Sequence, residues 1–311
     1  MFIIRFLLTK IRFFINYKIF MNKIVIVLLS LLFSTFVWAD ENIKSMKSLA
    51  LNYGSGGAEN FISNLIEGEG DTEVSLELRE NYKPDFSILA VREIEKTNNG
   101  NYFVQFSLFN TEKNNDERLG TNLGFGKRSL SDDKTLMTGF NVFFDYDNEG
   151  NARSSLGFEA RSAALEFIFN QYFGIDDASN EKVLDGYDIN LASQVPYMHW
   201  ADIFINKYEW EGRDRDDIKG TKIGSELLLS PTFNLELAYD DKDKAGLEDE
   251  WYVNLIFVHP PRNGSSLQDG FISKIAFSDK KDMTDQLLRK VKRQNKIMVE
   301  FDSSVTISRL N

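Results

Sequence analysis

Only two imidazoles, His199 and His259, are present in the 311-residue sequence, and there is no cysteine. Without thiols there can be no disulfide framework, no thiolate zinc or iron–sulfur site and no cysteine nucleophile. Neither histidine has a serine or carboxylate at a catalytic spacing, and both read as polar turn residues at strand ends. The best metal candidate is Asp145-Tyr-Asp147-Asn-Glu149-Gly150, which resembles the first half of a calcium loop. Its twelfth position is Leu156, where a bidentate Glu is required. Asp240-Asp-Lys-Asp243 reads as a solvated surface loop. No catalytic, cofactor-binding or metal-ligating residue is assigned, and no cofactor is implied.

Charge excludes another class. The formal charge is −11, and the first 39 residues hold five basic groups (Arg5, Lys10, Arg12, Lys18, Lys23) and no acid. The remainder therefore sets 31 basic residues against 47 acidic ones, a net −16, the wrong sign for a nucleic-acid partner. From Met21 the chain reads as an export signal: Lys23, an apolar run from Ile24 to Trp38, and Val37-Trp38-Ala39 as a cleavage site, with Asp40 beginning the mature protein. About 15 apolar residues are too few for a bilayer core of roughly 30 Å. Residues 1–20 are expected to be an extension upstream of a true start at Met21. Export without cysteine fits a bacterial envelope.

The elements expected after residue 71 are strands. Leu136, Thr138, Phe140, Val142, Phe144 and Tyr146 alternate with Met137, Gly139, Asn141, Phe143 and Asp145, one face apolar and the other small or polar. Phe233, Leu235, Leu237 and Tyr239 alternate likewise with Asn234, Glu236 and Ala238, and Trp251, Val253, Leu255 and Phe257 with Glu250, Tyr252, Asn254 and Ile256. Twelve strands are predicted, at 72–80, 84–95, 101–111, 118–128, 134–146, 151–161, 163–173, 185–195, 199–211, 218–230, 231–240 and 249–258. Alternation alone also fits a secreted β-sandwich. Loop lengths favour a membrane barrel: Gly174–Leu184 and Asp241–Glu248 are long and fall on one side, whereas Ser162 and Ser230-Pro231 are tight and fall on the other. Tyr146, Tyr172, Trp210, Tyr239 and Trp251 would form the interfacial girdles.

Several motifs then resemble the inverse autotransporter β-domain, the outer-membrane barrel of the intimin and invasin adhesins. They are Arg118-Leu-Gly-Thr-Asn-Leu-Gly-Phe-Gly-Lys-Arg128, Thr138-Gly-Phe-Asn-Val-Phe-Phe-Asp-Tyr-Asp147 and Leu156-Gly-Phe-Glu159, with weaker echoes at Asp185-Gly-Tyr-Asp188, Tyr208-Glu209 and Arg289–Glu300. The resemblance spans about residues 60 to 301. It implies an all-β, twelve-stranded antiparallel transmembrane β-barrel with its N-terminus in the periplasm and a following linker that enters the lumen as a short helix. The implied division is an extension and signal over 1–39, a short periplasmic segment over 40–71, the barrel over 72–258, and a linker with pore helix and tail over 259–311. Implied partners are outer-membrane lipid and the barrel-assembly machinery, with any surface receptor unidentified. Only 53 residues follow Val258, so no adhesin passenger is expected. A peptidoglycan-binding module would not fit in 40–71, although Ala58–Ile66 reads as a small amphipathic helix. An outer-membrane phospholipase, also a twelve-stranded barrel, would need His and Ser together near the surface end on the lipid face, which neither histidine provides.

Two expectations concern the lumen. Gly120, Gly124 and Gly126 should face inward and leave space there, and Asp145, Glu159, Glu166, Asp188, Glu226, Glu236 and Glu250 should make the interior acidic. In the tail, Met283, Leu287 and Val291 recur every four residues, predicting a helix over Asp279–Gln294 with acids early and bases late. Eight basic residues against three aspartates between Lys274 and Lys296 should draw this segment into, or under, the acidic lumen. The expected function is a translocator or display barrel presenting a short tail; the alternative is a pore or loop-mediated surface protein that has lost export.

Overall fold

The computed structural model describes residues 70–79, 83–113, 116–243, 249–277 and 282–301. The expected signal, nearly all of the 40–71 segment and the tail beyond Phe301 lie outside them. The described residues fall within one compact unit, Ser63–Asn311.

Period-2 segments become strands because each can turn one face to an apolar surround and the other to a polar interior. They are β1 (Thr72–Arg79), β2 (Asp85–Thr97), β3 (Gly100–Lys113), β4 (Asp116–Leu130), β5 (Leu136–Asp147), β6 (Ala152–Ser162), β7 (Leu165–Asp176), β8 (Glu181–Val183), β9 (Gly186–Val195), β10 (Met198–Trp210), β11 (Ile218–Ser230), β12 (Phe233–Lys242), β13 (Glu250–His259) and β14 (Val299–Phe301). All except β8 and β14 form one closed antiparallel barrel of twelve strands. Its seam is β1 on β13, from Thr72 opposite His259 to Arg79 opposite Tyr252. No helix among the described residues is long and apolar enough to cross a membrane.

The faces follow the alternation. On β5, Leu136, Phe140, Phe144 and Tyr146 are exposed on the outer wall, while Met137, Asn141, Phe143 and Asp145 are buried inside. Phe140, Phe158 and Phe167 stack across three strands of that wall, with ring centroids 5.0 and 6.2 Å apart. Near the rim Tyr239 lies 4.8 Å from Trp251, and Trp251 and Tyr146 are exposed as girdle residues would be. Tyr172 and Trp210 are not girdle residues. Both turn into the lumen, fully buried, where they pack with Leu184 and Met298.

One end of the barrel carries the tight turns: 98–99, 163–164, 196–197 and 231–232 are two-residue links, and 131–135 is a five-residue one. Ser131 and Asp133 build that last turn, Asp133 accepting from the Ser131 hydroxyl at 2.7 Å and from the Thr135 N–H at 3.2 Å. The opposite end carries the longest connections, 177–185, 211–217 and 243–249, the first interrupted by β8.

The predicted helix over Asp279–Gln294 is not present. Among the described residues of that stretch, only Met283–Gln286 forms a turn of 3-10 helix; the turn geometry continues through Leu287 and Leu288, and from Lys290 the chain runs on without helix. The physical reason lies in the wall. An α-helix with its side chains is about 10–12 Å across, and the lumen is already narrowed by inward aromatic rings. An extended chain fits beside them, and its backbone groups find partners on the strands. Tertiary contacts thereby outweigh a helix propensity of a few tenths of a kcal/mol per residue.

Candidate functional site, the threaded lumen

Glycines prepare the interior. Gly120, Gly124 and Gly126 on β4 face inward as expected, but the space above them is filled: a Cβ at each would overlap the ring of Phe109, Phe143 or Phe103. The rings of Phe103 and Phe143 form a shelf with Leu89 and Val91, on which Val291 of the tail rests. A second apolar contact, nearer the tight turns, joins Met283 and Leu287 to Leu130 and Met137. A third, toward the long loops, seats Met298 against Leu184, Tyr172, Tyr208 and Trp210.

Between these contacts the extended tail crosses the lumen as a thread, and wall side chains bond its backbone. Arg128 donates to the carbonyls of Leu287 at 2.8 Å and Arg289 at 2.7 Å, and Arg161 to that of Lys290 at 2.9 Å. The Gln105 carbonyl oxygen accepts the N–H of Val291 at 2.8 Å, and Asn170 donates to the carbonyl of Lys292 at 3.1 Å. Farther along, Tyr172 accepts the N–H of Gln294 at 2.7 Å, Arg153 donates to the Gln294 carbonyl at 2.7 Å, and Asn122 to that of Asn295 at 3.0 Å. These partners stand on β3, β4, β6 and β7, so one half of the wall holds the main chain. Groups that would otherwise be costly orphans in a filled lumen are thereby satisfied.

The thread's side chains carry the electrostatics. Lys290 meets Glu73 at 2.8 Å, Lys292 meets Glu166 at 2.8 Å and Glu226 at 3.1 Å, and Lys296 reaches Asp85 at 2.5 Å and Glu77 at 3.5 Å. Arg293 places both guanidinium nitrogens on Asp145, at 2.7 and 2.8 Å, and lies 4.3 Å above the Phe143 ring. The acids expected inside are there, Asp145, Glu159, Asp188 and Glu250 buried and Glu166, Glu226 and Glu236 partly so. The wall is not purely acidic, however. Arg128, Arg153 and Arg161 also point inward, Arg128 pairing with Glu159 at 2.7 Å and Arg153 with Asp145 at 2.8 Å. Their inward parity was legible on β4 and β6, where Arg128 follows the glycines at even positions and Arg153 and Arg161 share the face of Glu159. Beside the thread, along β1–β3 and β9–β13, a cavity of about 230 Å³ remains.

At the long-loop end β14 pairs with β8, Val299 opposite Val183 and Phe301 opposite Glu181. Glu300 accepts the backbone N–H groups of Arg213 at 3.1 Å and Asp214 at 3.2 Å, and Arg215 donates to the Phe301 carbonyl at 3.1 Å. Arg118 binds Glu181 through two nitrogens. Lys182 holds the Asp214 carboxyl below its ordinary range. At the tight-turn mouth the hydroxyl and N–H of Thr284 do the same for Asp282, which lies 3.6 Å from Lys134.

The residues screened for chemistry are placed elsewhere. His199 lies at the tight-turn end with Nε2 3.1 Å from the Ile275 carbonyl, and His259 closes β13. Of the calcium-loop candidates, Asp145 is held by arginines, and Asp147 caps its own turn by accepting from the N–H groups of Glu149 and Asn151 at 3.1 Å each.

A closed barrel with an occupied lumen is what the motifs on β4–β6 imply, and comparison with known families decides the assignment: the profile described as inverse autotransporter, beta-domain, matches residues 37–295. The chain belongs to that family. An inverse autotransporter β-domain is an outer-membrane β-barrel, and a solved structure shares the fold. The chain is similar to one titled "Unveiling the Mechanism Behind the in-meso Crystallization of Membrane Proteins", at 16% identity and a TM-score of 0.56, covering 74% of this chain and 99% of that one. More distant likenesses are to a KdgM porin, at 9% identity and TM-score 0.44 with 60% and 98% covered, and to outer membrane phospholipase A from Escherichia coli, at 8% and 0.41 with 63% and 95% covered. No curated protein matches the chain.

Proposed function

We propose that this β-domain is a non-enzymatic anchor that holds its own C-terminal segment through the outer membrane and presents the residues after Phe301 at the cell surface. The carrying observation is the thread itself: it starts at the tight-turn end, where Met283 bonds the Lys134 carbonyl at 2.9 Å, and ends at the long-loop end in the β8–β14 pair. Tight turns mark the periplasmic side of such barrels and long loops the outer side, so the thread runs outward. Outer-membrane lipid covers the apolar wall, the assembly machinery inserts the barrel after export, and the signal ending at Ala39 is removed. The filled lumen favours display over an open pore. A peptide tag placed after Asn311 should be removed by protease added to intact cells; a tag that is cut only after lysis refutes this reading.

A further inference from the structure

The contacts that hold the thread divide into two kinds that act differently. Those from Arg128, Arg161, Gln105, Asn170, Tyr172, Arg153 and Asn122 go to backbone N–H and C=O groups. Every residue of a polypeptide other than proline offers the same two groups, so these contacts accept almost any extended sequence, and accept it equally after a slip of two residues, which restores the same side-chain faces. The ion pairs are unlike that. Lys290, Lys292, Arg293 and Lys296 fall at i, i+2, i+3 and i+6, and each has its own acid on a different part of the wall: Glu73 on β1, Glu166 and Glu226 on β7 and β11, Asp145 on β5, and Glu77 with Asp85 on β1 and β2. A slip of two residues would bring Gln294 to the place of Lys292 and Lys292 to that of Lys290, and would leave Asp145 facing an amide or an apolar side chain.

We propose that the lumen is a register-setting receptor for an extended cationic polypeptide, in which the wall holds the main chain without regard to sequence and four acid sites fix which residue stops where. On the display reading, which this inference deepens, any extended segment is tolerated in the lumen and the basic cluster is the stop signal. The β8–β14 pair then follows from the register and does not create it.

Disulfide mapping in the full-length protein tests this. On a Gln105→Cys background with all four cations in place, single second cysteines at Arg289→Cys or Val291→Cys should give a cross-link at 291 and none at 289; Arg293→Cys is used only in the variant below, where Arg293 is already replaced. In a first variant the cations are displaced by two positions, through Lys290→Gln, Arg293→Gln, Lys296→Gln, Gln294→Lys, Asn295→Arg and Met298→Lys, with Lys292 kept. The cross-link should move from residue 291 to residue 293; a link that stays at 291 overturns the proposal. A second, milder variant, Glu300→Ala with Arg215→Ala, weakens the exit pair and leaves the cations untouched. Its link should remain at 291, and spreading to 289 overturns the proposal even if the first variant fails to assemble. Protease access to a tag after Asn311, measured on the same cells, separates the two readings. A tag protected while the link follows the cations rejects display alone, and an accessible tag with a link fixed at 291 rejects the stop signal alone.

Discussion

Asp145 gives both carboxylate oxygens to the guanidinium of Arg293, at 2.7 and 2.8 Å, with both side chains fully buried. Arg153 of the neighbouring strand approaches the same carboxylate at 2.8 Å. Two arginines on one acid, flanked by the rings of Phe143 and Tyr172, form a multiply bonded joint between wall and thread. Asp145→Asn leaves two buried cations without their shared anion, and breaking a buried pair in this way costs about 3–5 kcal/mol. Urea unfolding of the purified barrel should show that loss. Arg293→Ser should cost less, because Asp145 keeps Arg153; equal losses would mean that the two arginines are not coupled through Asp145.

Removing the thread should open the barrel. Deletion of residues 282–311 frees Glu73, Glu77, Asp85, Glu166 and Glu226 from the lysines that neutralise them. In planar bilayers the full-length protein should be nearly silent and the truncated one should conduct with cation preference, since lumen charge sets selectivity. Indistinguishable conductances would show that the thread does not obstruct the lumen.

The two faces of one wall should differ in tolerance. Leu156, 56% exposed on the outside, meets hydrocarbon, whereas Asn206 lines the internal cavity among acids. Leu156→Arg should be worse than Asn206→Arg by about 2–4 kcal/mol if it lies near mid-bilayer. The folded fraction that keeps its compact electrophoretic mobility without heating reports this, and similar fractions for both variants would contradict the assignment of faces.

Gly124 should resist even a methyl group. A Cβ there overlaps the Phe143 ring, so Gly124→Ala should destabilise by about 1–3 kcal/mol through overpacking. Adding Phe143→Leu should recover much of that loss in urea titrations. Failure of the smaller side chain to help would place the strain elsewhere.

Orientation is checked from outside. A cysteine at Ser179, between β7 and β8, should react with an impermeant maleimide on whole cells, and one at Asp132, in the 131–135 turn, only after lysis. The reverse pattern would invert the barrel.

The barrel was legible in the sequence because strand periodicity is a local signal: each of the twelve strands forms within a few residues of its expected limits, and side-chain parity places Asp145 and Glu159 inside. What could not be read locally were contacts made across the lumen. Met283, Leu287 and Val291 do recur every four residues, but the spacing matches separate apolar seats on the wall, at Leu130 with Met137 and at Phe103 with Phe143, and not the turns of a helix. Tyr172 and Trp210 lie near strand ends like girdle residues, and only the pleat shows that they point inward. The β8–β14 pair joins three-residue segments more than 100 residues apart, too short to leave a periodic trace.

The thread also lies along the barrel, with its rungs reaching sideways to the wall. A pull on the chain beyond Phe301 would therefore act in shear. After the short β8–β14 pair yields, the bonds from Asn122, Arg153, Tyr172, Asn170, Gln105 and Arg128 and the four ion pairs would be strained together, not peeled one at a time. Lys290 and Lys296 would pass part of that tension to Glu73 and Glu77 on β1, the strand that closes the barrel against β13. Mechanical resistance in this β-domain would thus come from many modest bonds sharing a force, with the closing seam among the parts that bear it.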